Sequence, residues 1–145
     1  MSKTYKLQLI DDSSFNISLV KVRFDSLGIP EDLPNNVKFK LRTKDSFKIL
    51  KLTNTKVELE FTREKFFEPD GLFKIVIVLT VGYKLKPSKN KEEEKIIKED
   101  LKNQHFKLLS PAATRASILV SALTGIDWKN PVVDPPYPLF GRDEH

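Results

Sequence analysis

SPAATRASILVSALTGIDWKNPVVDPPYPLF, running from Ser110 to Phe140, decides how the chain is read. Ser110-Pro111 is a helix start. The serine can cap the first free N–H groups, and proline fits the first helical position, where its missing N–H costs nothing. Ala112, Ala116, Leu119 and Leu123 recur three or four residues apart and form one stripe, flanked by Val120 and Ala122. The pattern predicts a helix to about Thr124, with Gly125 able to take the left-handed position at its end. Its alanines and serines would let it approach a partner surface closely. The stretch closes on NPVVDPPYPLF, whose four prolines predict an extended tail and exclude a central strand. Val132, Val133, Tyr137 and Phe140 are then expected on a surface or against another chain.

Working backwards, the preceding residues read mostly as strand. Glu68-Pro69-Asp70-Gly71 has proline to preset φ, aspartate to bond back to the backbone and glycine to accept positive φ. It should join residues 55–67 and 72–84 as an antiparallel hairpin. LFKIVIVLTVGY is apolar in both phases and is expected as a central strand covered on both faces. Val57, Leu59 and Phe61 alternate with Lys56, Glu58 and Glu60, and Val37, Phe39 and Leu41 alternate with Lys38, Lys40 and Arg42. Tyr5, Leu7 and Leu9 read as a strand ending at the turn cluster Asp11-Asp12-Ser13-Ser14, and Phe15, Ile17 and Leu19 as the next. The apolar phase then flips at Val20, and again between Ile49 and Leu50, as a β-bulge or a strand changing sides would make it. DSLGIPEDLPNN, residues 25–36, reads as a long connection whose Leu27, Ile29 and Leu33 fold back onto apolar surface. Residues 86–102 form a charged insert. A first helix from Asn90 is expected there, capped by Asn90 with Glu93, although a charged loop leading into a strand at residues 104–109 fits as well. Strands followed by helices give an α+β fold with an antiparallel sheet, in one domain over residues 1–145, with residues 141–145 frayed.

Composition limits the chemistry. The chain has no cysteine, which excludes disulfides, thiolate metal sites and cysteine nucleophiles. Of its two histidines, His145 is the last residue and His105 has no second histidine at ligand spacing, so a partly packed ring is expected and no metal site. Five scattered glycines make no phosphate loop, and no serine sits in a nucleophile elbow. No catalytic residue, cofactor or enzyme activity is expected. No apolar run is long enough to span a membrane, and MSKTYKLQLIDD lacks a signal-peptide core, so a cytoplasmic protein is expected. The net charge of +5 is concentrated: residues 37–65 hold nine Lys/Arg against four Asp/Glu. Lys38, Lys40, Arg42 and Lys44 share one strand face, with Phe39 and Leu41 on the other. Single-strand binders put aromatic and basic groups on the same face, so a solvated face comes first and a nucleic-acid-binding accessory domain is the alternative. A structural subunit of a larger assembly is a third reading.

The order of elements, and PAATRASILVSALTGIDWKNPVVDPPYPLF above all, resembles the SecB-like family of export chaperones. The resemblance implies a four-stranded antiparallel sheet, a segment crossing it after the first strand, and a C-terminal helix layer of one or two helices on one face. It implies a holdase that binds unfolded or partly folded client protein without a cofactor, assembled as a homo-oligomer, a dimer or dimer of dimers. Some relatives serve toxin–antitoxin systems rather than export. Client-binding positions would be Phe24, Leu27, Ile29 and Leu33 of the crossing segment, with Trp128, Val133 and Tyr137 of the tail. Ala112, Ala116, Ser117 and Leu119 would stand near a subunit interface, unless they pack on the chain's own sheet. Three departures bear on the family's translocase motor as a partner. The chain is basic where members are typically acidic. The residues after Phe140 do not read as the long acidic extension of many members. The charged insert occupies the place expected for a fourth strand.

Overall fold

A computed structural model describes residues 10–28, 38–53, 55–85, 91–127 and 132–140. Four strands, β1 (Ile10–Gly28), β2 (Lys40–Leu52), β3 (Lys56–Glu68) and β4 (Leu72–Leu85), precede one helix, α1 (Lys91–Asp127). The sheet is antiparallel throughout, in the order β1-β4-β3-β2. Strands β2, β3 and β4 form a meander, and β1 returns to the far side of β4, so the first two strands occupy opposite edges. The expected α+β architecture is therefore present. The Pro69-Asp70-Gly71 turn joins β3 to β4, and LFKIVIVLTVGY lies in the sheet interior, hydrogen-bonded on both sides.

Period-two alternation carries the sheet. In β3, Val57, Leu59, Phe61, Arg63, Lys65 and Phe67 are buried and the residues between them half-buried. In β4 the odd positions from Phe73 to Leu85 are buried in the same way. Residues opposite one another in an antiparallel pair share a face. All of these side chains therefore point to one side, where α1 lies. Both phase flips read from the sequence are register shifts: β1 slips against β4 between Leu19 and Lys21, and β2 against β3 between Ile49 and Lys51. Each shift returns the apolar phase to the helix side, so that Val22 pairs with Ile77 and Leu52 with Val57.

Several expectations differ from what forms. Asp11-Asp12-Ser13-Ser14 does not end a strand. It lies inside β1 as an irregularity, where the register steps from Asp11↔Lys84 to Asn16↔Gly82. Asp25 to Gly28 extends β1 rather than opening a connection, so Phe24 and Leu27 are strand residues. Gly28, at φ 70°, stands where the strand ends. Because residues 10–28 supply the remaining strand, the charged segment displaces no part of the sheet. That segment instead begins α1, with no strand at 104–109.

Ser110-Pro111 does not start a helix, because α1 runs through it and on past Gly125 to Asp127. The Ser110 hydroxyl donates back to the Phe106 carbonyl at 2.8 Å, a bond available only inside a helix. Tertiary packing explains why the start signal is overridden. Leu101, Leu108, Leu109, Ala112, Ala113, Ala116 and Val120 are all buried on one continuous stripe that spans the proline. Tyr83 of β4 reinforces the passage with a hydrogen bond from its hydroxyl to the Leu108 carbonyl. The alanines bring α1 close to its own sheet.

Candidate functional site

The layer over the sheet has two parts. Helix α1 packs over β4 and its neighbours, and residues 132–140 return from the helix end and lie against β3 and β2. The return is fixed first by Thr124, whose fully buried hydroxyl accepts the Val132 N–H at 2.8 Å and donates to the Val120 carbonyl. Beyond it, side chains of helix and sheet hold the tail largely by its main chain. Ser117 donates to the Asp134 carbonyl at 2.7 Å, and Arg63 to those of Pro135 at 3.4 Å and Tyr137 at 3.0 Å. The single proton of Thr114 is shared between the carbonyls of Ser110 and Pro136. Asp45 accepts the Leu139 N–H at 2.7 Å.

Beneath these contacts is a buried ionic cluster. Arg63 grips Asp45 with two bonds, 2.9 Å from Nε to Oδ1 and 2.8 Å from Nη2 to Oδ2. The guanidinium also lies 5.6 Å from the Phe61 ring centroid. Lys65 donates to Asp134 Oδ1 at 2.7 Å and to the Thr43 hydroxyl. Asp134 Oδ2 stands 3.7 Å from Arg63 Nη1 and has no hydrogen-bond partner among the described residues. Two cations therefore face two carboxylates inside the protein, and only Asp134 comes from the tail. Apolar contacts finish the joint: Pro138 is buried, and Phe140 packs on Phe47 at 5.3 Å and on His105 at 5.2 Å between centroids. His105 itself stacks on Phe47 and bonds the Lys102 carbonyl through Nδ1. It is a packed ring, and no group of three potential metal ligands occurs among the described residues.

Among the described residues, apolar side chains are exposed singly at Ile118 of α1, as a pair at Ile49 and Leu50 of β2, and more extensively in two places. The first is β1, which among the described residues is an edge strand hydrogen-bonded only to β4. Phe15, Leu19, Val20, Val22 and Leu27 are each between 38% and 56% exposed along it, with Ile17 and Phe24 half-buried among them. The second is a recess of about 330 Å³ lined by His105, Phe106, Tyr137, Pro138, Leu139 and Phe140. At its mouth the half-exposed rings of Phe106 and Tyr137 lie 5.8 Å apart.

The residues singled out from the sequence are distributed unevenly over these features. Leu27 is 51% exposed and Tyr137 44%, while Val133 at 84% points away from the protein. Phe24 is half-buried, stacked on Phe73 at 5.6 Å. Ile29, Leu33 and Trp128 lie outside the described residues. Of the four interface positions, Ala112 and Ala116 are completely buried in the protomer's own core, and Ser117 is bonded to the tail. Ala112 and Ala116 thus pack on the chain's own sheet, while Ser117 and Leu119 are half-buried. Arg63, Lys65, Asp45 and Asp134 were missed, although a signal existed. Arg63 and Lys65 fall in the same alternating phase as Val57, Leu59 and Phe61, and Asp45 in the phase of Leu41 and Phe47.

The far face of the sheet answers the basic row of β2. Lys40, Lys44, Lys48 and Lys51 stand opposite Glu68, Glu64, Glu60 and Glu58 of β3. Lys48 reaches Glu60 at 3.6 Å, and Arg42 bonds Glu68. The acidic row beside the lysines offsets much of the field that a polyanion would need. Over β4 this face presents the half-buried Val76, Val78 and Thr80, and among the described residues the expected cover on both faces is found on the helix side only.

No helix among the described residues is long and apolar enough to cross a membrane. No protein-family model matches the chain, and no curated protein matches it. Among solved structures it is similar to the SecB-like chaperone Rv1957 of Mycobacterium tuberculosis, solved in complex with a ChAD peptide from the HigA1 antitoxin, Rv1956. The TM-score is 0.53 at 10% identity, covering 85% of this chain and 87% of that one, so the two share a fold.

Proposed function

We propose that the protein is a non-enzymatic, SecB-like holdase that binds unfolded or aggregation-prone polypeptides and works as a homo-oligomer in the cytoplasm. The observation that carries this reading is the row of half-exposed apolar side chains on the free edge strand β1. An edge strand is a template for another polypeptide, and native proteins usually shield one with charge or proline. Here Phe15, Leu19, Val20 and Val22 are left open, an arrangement suited to a second chain. Leu27 at the end of the row, together with Val133 and Tyr137 of the tail, are the described members of the client surface. Phe24, half-buried on Phe73, is the fourth described member. A fold shared with a chaperone solved with an antitoxin peptide supports a client of the same chemical kind.

Solution mass by light scattering, together with aggregation suppression of an unfolded test protein without nucleotide, tests the reading. An oligomer that suppresses aggregation near stoichiometric ratio is expected. Leu27→Lys with Tyr137→Lys should abolish suppression while leaving the melting temperature within a few degrees. A monomer without suppression sinks the proposal. Oligonucleotide binding that falls steeply with salt would put a nucleic-acid role in its place.

A further inference from the structure

We infer that the cleft between α1 and the β2–β3 half of the sheet is an exchangeable peptide site, filled in cis by residues 132–140. Its ligand class is a proline-rich segment led by an aspartate. The inference does not depend on the holdase reading: it rests on the bonds that hold the tail's main chain, whereas that reading draws on the β1 row and on only the outward Val133 and Tyr137 of the tail.

The grip falls on the main chain. Four successive carbonyls of the tail, from Asp134 to Tyr137, are taken alternately by the helix and the sheet: Ser117, Arg63, Thr114, Arg63. The segment has no regular secondary structure and bends at Pro136 and Tyr137, and its successive carbonyls turn to the two sides of the cleft. Proline has no N–H, so a site that reads carbonyls loses nothing by accepting it, and its fixed φ lowers the entropy lost on ordering. The outward Val133 and Tyr137 play no part in the grip. Side-chain recognition falls on Asp134, between Lys65 and Arg63, with Val132, Pro138 and Phe140 on apolar surface.

The receptor side is organised without the tail. Arg63 is held by two bonds from Asp45, its direct cross-strand neighbour, and both belong to the sheet. If the tail leaves, this pair remains, Lys65 keeps its bond to Thr43, and water can reach the groups that held the tail. A purely structural cover would not need these groups. Every other buried side chain on this face of β3 and β4 is apolar or Tyr83, and replacing buried ion pairs by apolar residues is often neutral or stabilising. Charged groups at 45, 63 and 65 select what lies over them.

A tethered tail competes at an effective concentration on the order of millimolar, so a free peptide must overcome that advantage. The test uses the full chain, which has no cysteine, so Val133→Cys takes a single spin label at an outward position. A synthetic peptide of residues 130–141 is then added. Saturable conversion of the label from immobile to mobile is expected. The same peptide with asparagine for its aspartate should need roughly tenfold more, and a scrambled peptide should do nothing. Asp134→Asn in the chain should lower the concentration required roughly tenfold. A label that stays immobile up to millimolar peptide in both chains overturns the inference, as does equal release by the scrambled peptide. Should Asp134→Asn fail to fold, the unsubstituted chain decides. A peptide with a photoreactive group in place of its tyrosine should crosslink to α1 near Phe106, against which the Tyr137 ring lies, and absence of such crosslinks rejects the site.

Discussion

The two parts of the layer over the sheet solve the same problem by opposite means. Helix α1 covers its half with a dry stripe of leucine, valine and alanine against the odd positions of β4. The tail covers the other half with little apolar weight and a buried cluster of four charges. The first depends on volume and is indifferent to the polypeptide's direction or charge. The second depends on directed bonds, several of which go to the main chain. Packing supplies strength under the helix, and bonding geometry supplies selection under the tail.

The largest expected effect lies in the ionic half. Arg63→Ala removes the group that holds Asp45 and two tail carbonyls, leaving a buried carboxylate without its cation. Breaking one partner of such a pair costs about 3–5 kcal/mol, to be read from urea unfolding. Asp45→Leu combined with Arg63→Met should be more stable than Arg63→Ala, because no charge is then left uncompensated. A double variant as unstable as the single one would show that the tail bonds, rather than the charge, carry the cost.

The apolar half should follow volume. Leu108→Ala under the helix is expected to cost about 2–5 kcal/mol, depending on how far the cavity collapses. Ala116→Leu, at a fully buried position, should cost about 1–3 kcal/mol through overpacking. Were Ala116 instead at a subunit interface, the substitution would change the solution mass and leave protomer stability alone. Equilibrium unfolding beside light scattering separates the two outcomes.

The same division decided what could be read from residues alone. The hairpin of β3 and β4, the interior position of residues 72–83 and both phase changes were legible, because a period of two survives on each strand and its interruptions are local. The seam was not. Arg63 and Lys65 stand in the apolar phase of β3, a visible irregularity, but their partners Asp45 and Asp134 lie 18 and 69 residues away in sequence. No local pattern joins them. At Ser110-Pro111 a local signal was present and lost, because the buried stripe on either side offsets the proline's unfavourable place within a helix. The apolar row of β1 was visible as a set of side chains, and only the strand order shows that it forms an edge.

The smallest effect belongs to the face that neither half of the layer touches. Lys44→Ala with Lys48→Ala removes two cations from β2, each opposite a glutamate of β3. Lys48 is 66% exposed and 3.6 Å from Glu60, a pair of the kind worth a few tenths of a kcal/mol in water. The expected change in stability is therefore under about 0.5 kcal/mol per site. Oligonucleotide titrations of the parent and the double variant, at several salt concentrations, sharpen the comparison further. If the acidic row offsets the basic one, both proteins should bind weakly and with the same shallow slope. A loss of affinity with a salt slope shallower by about 1–2 would mean that those lysines neutralise phosphates. The charges of this face would then be selecting a ligand, as the buried ones do under the tail.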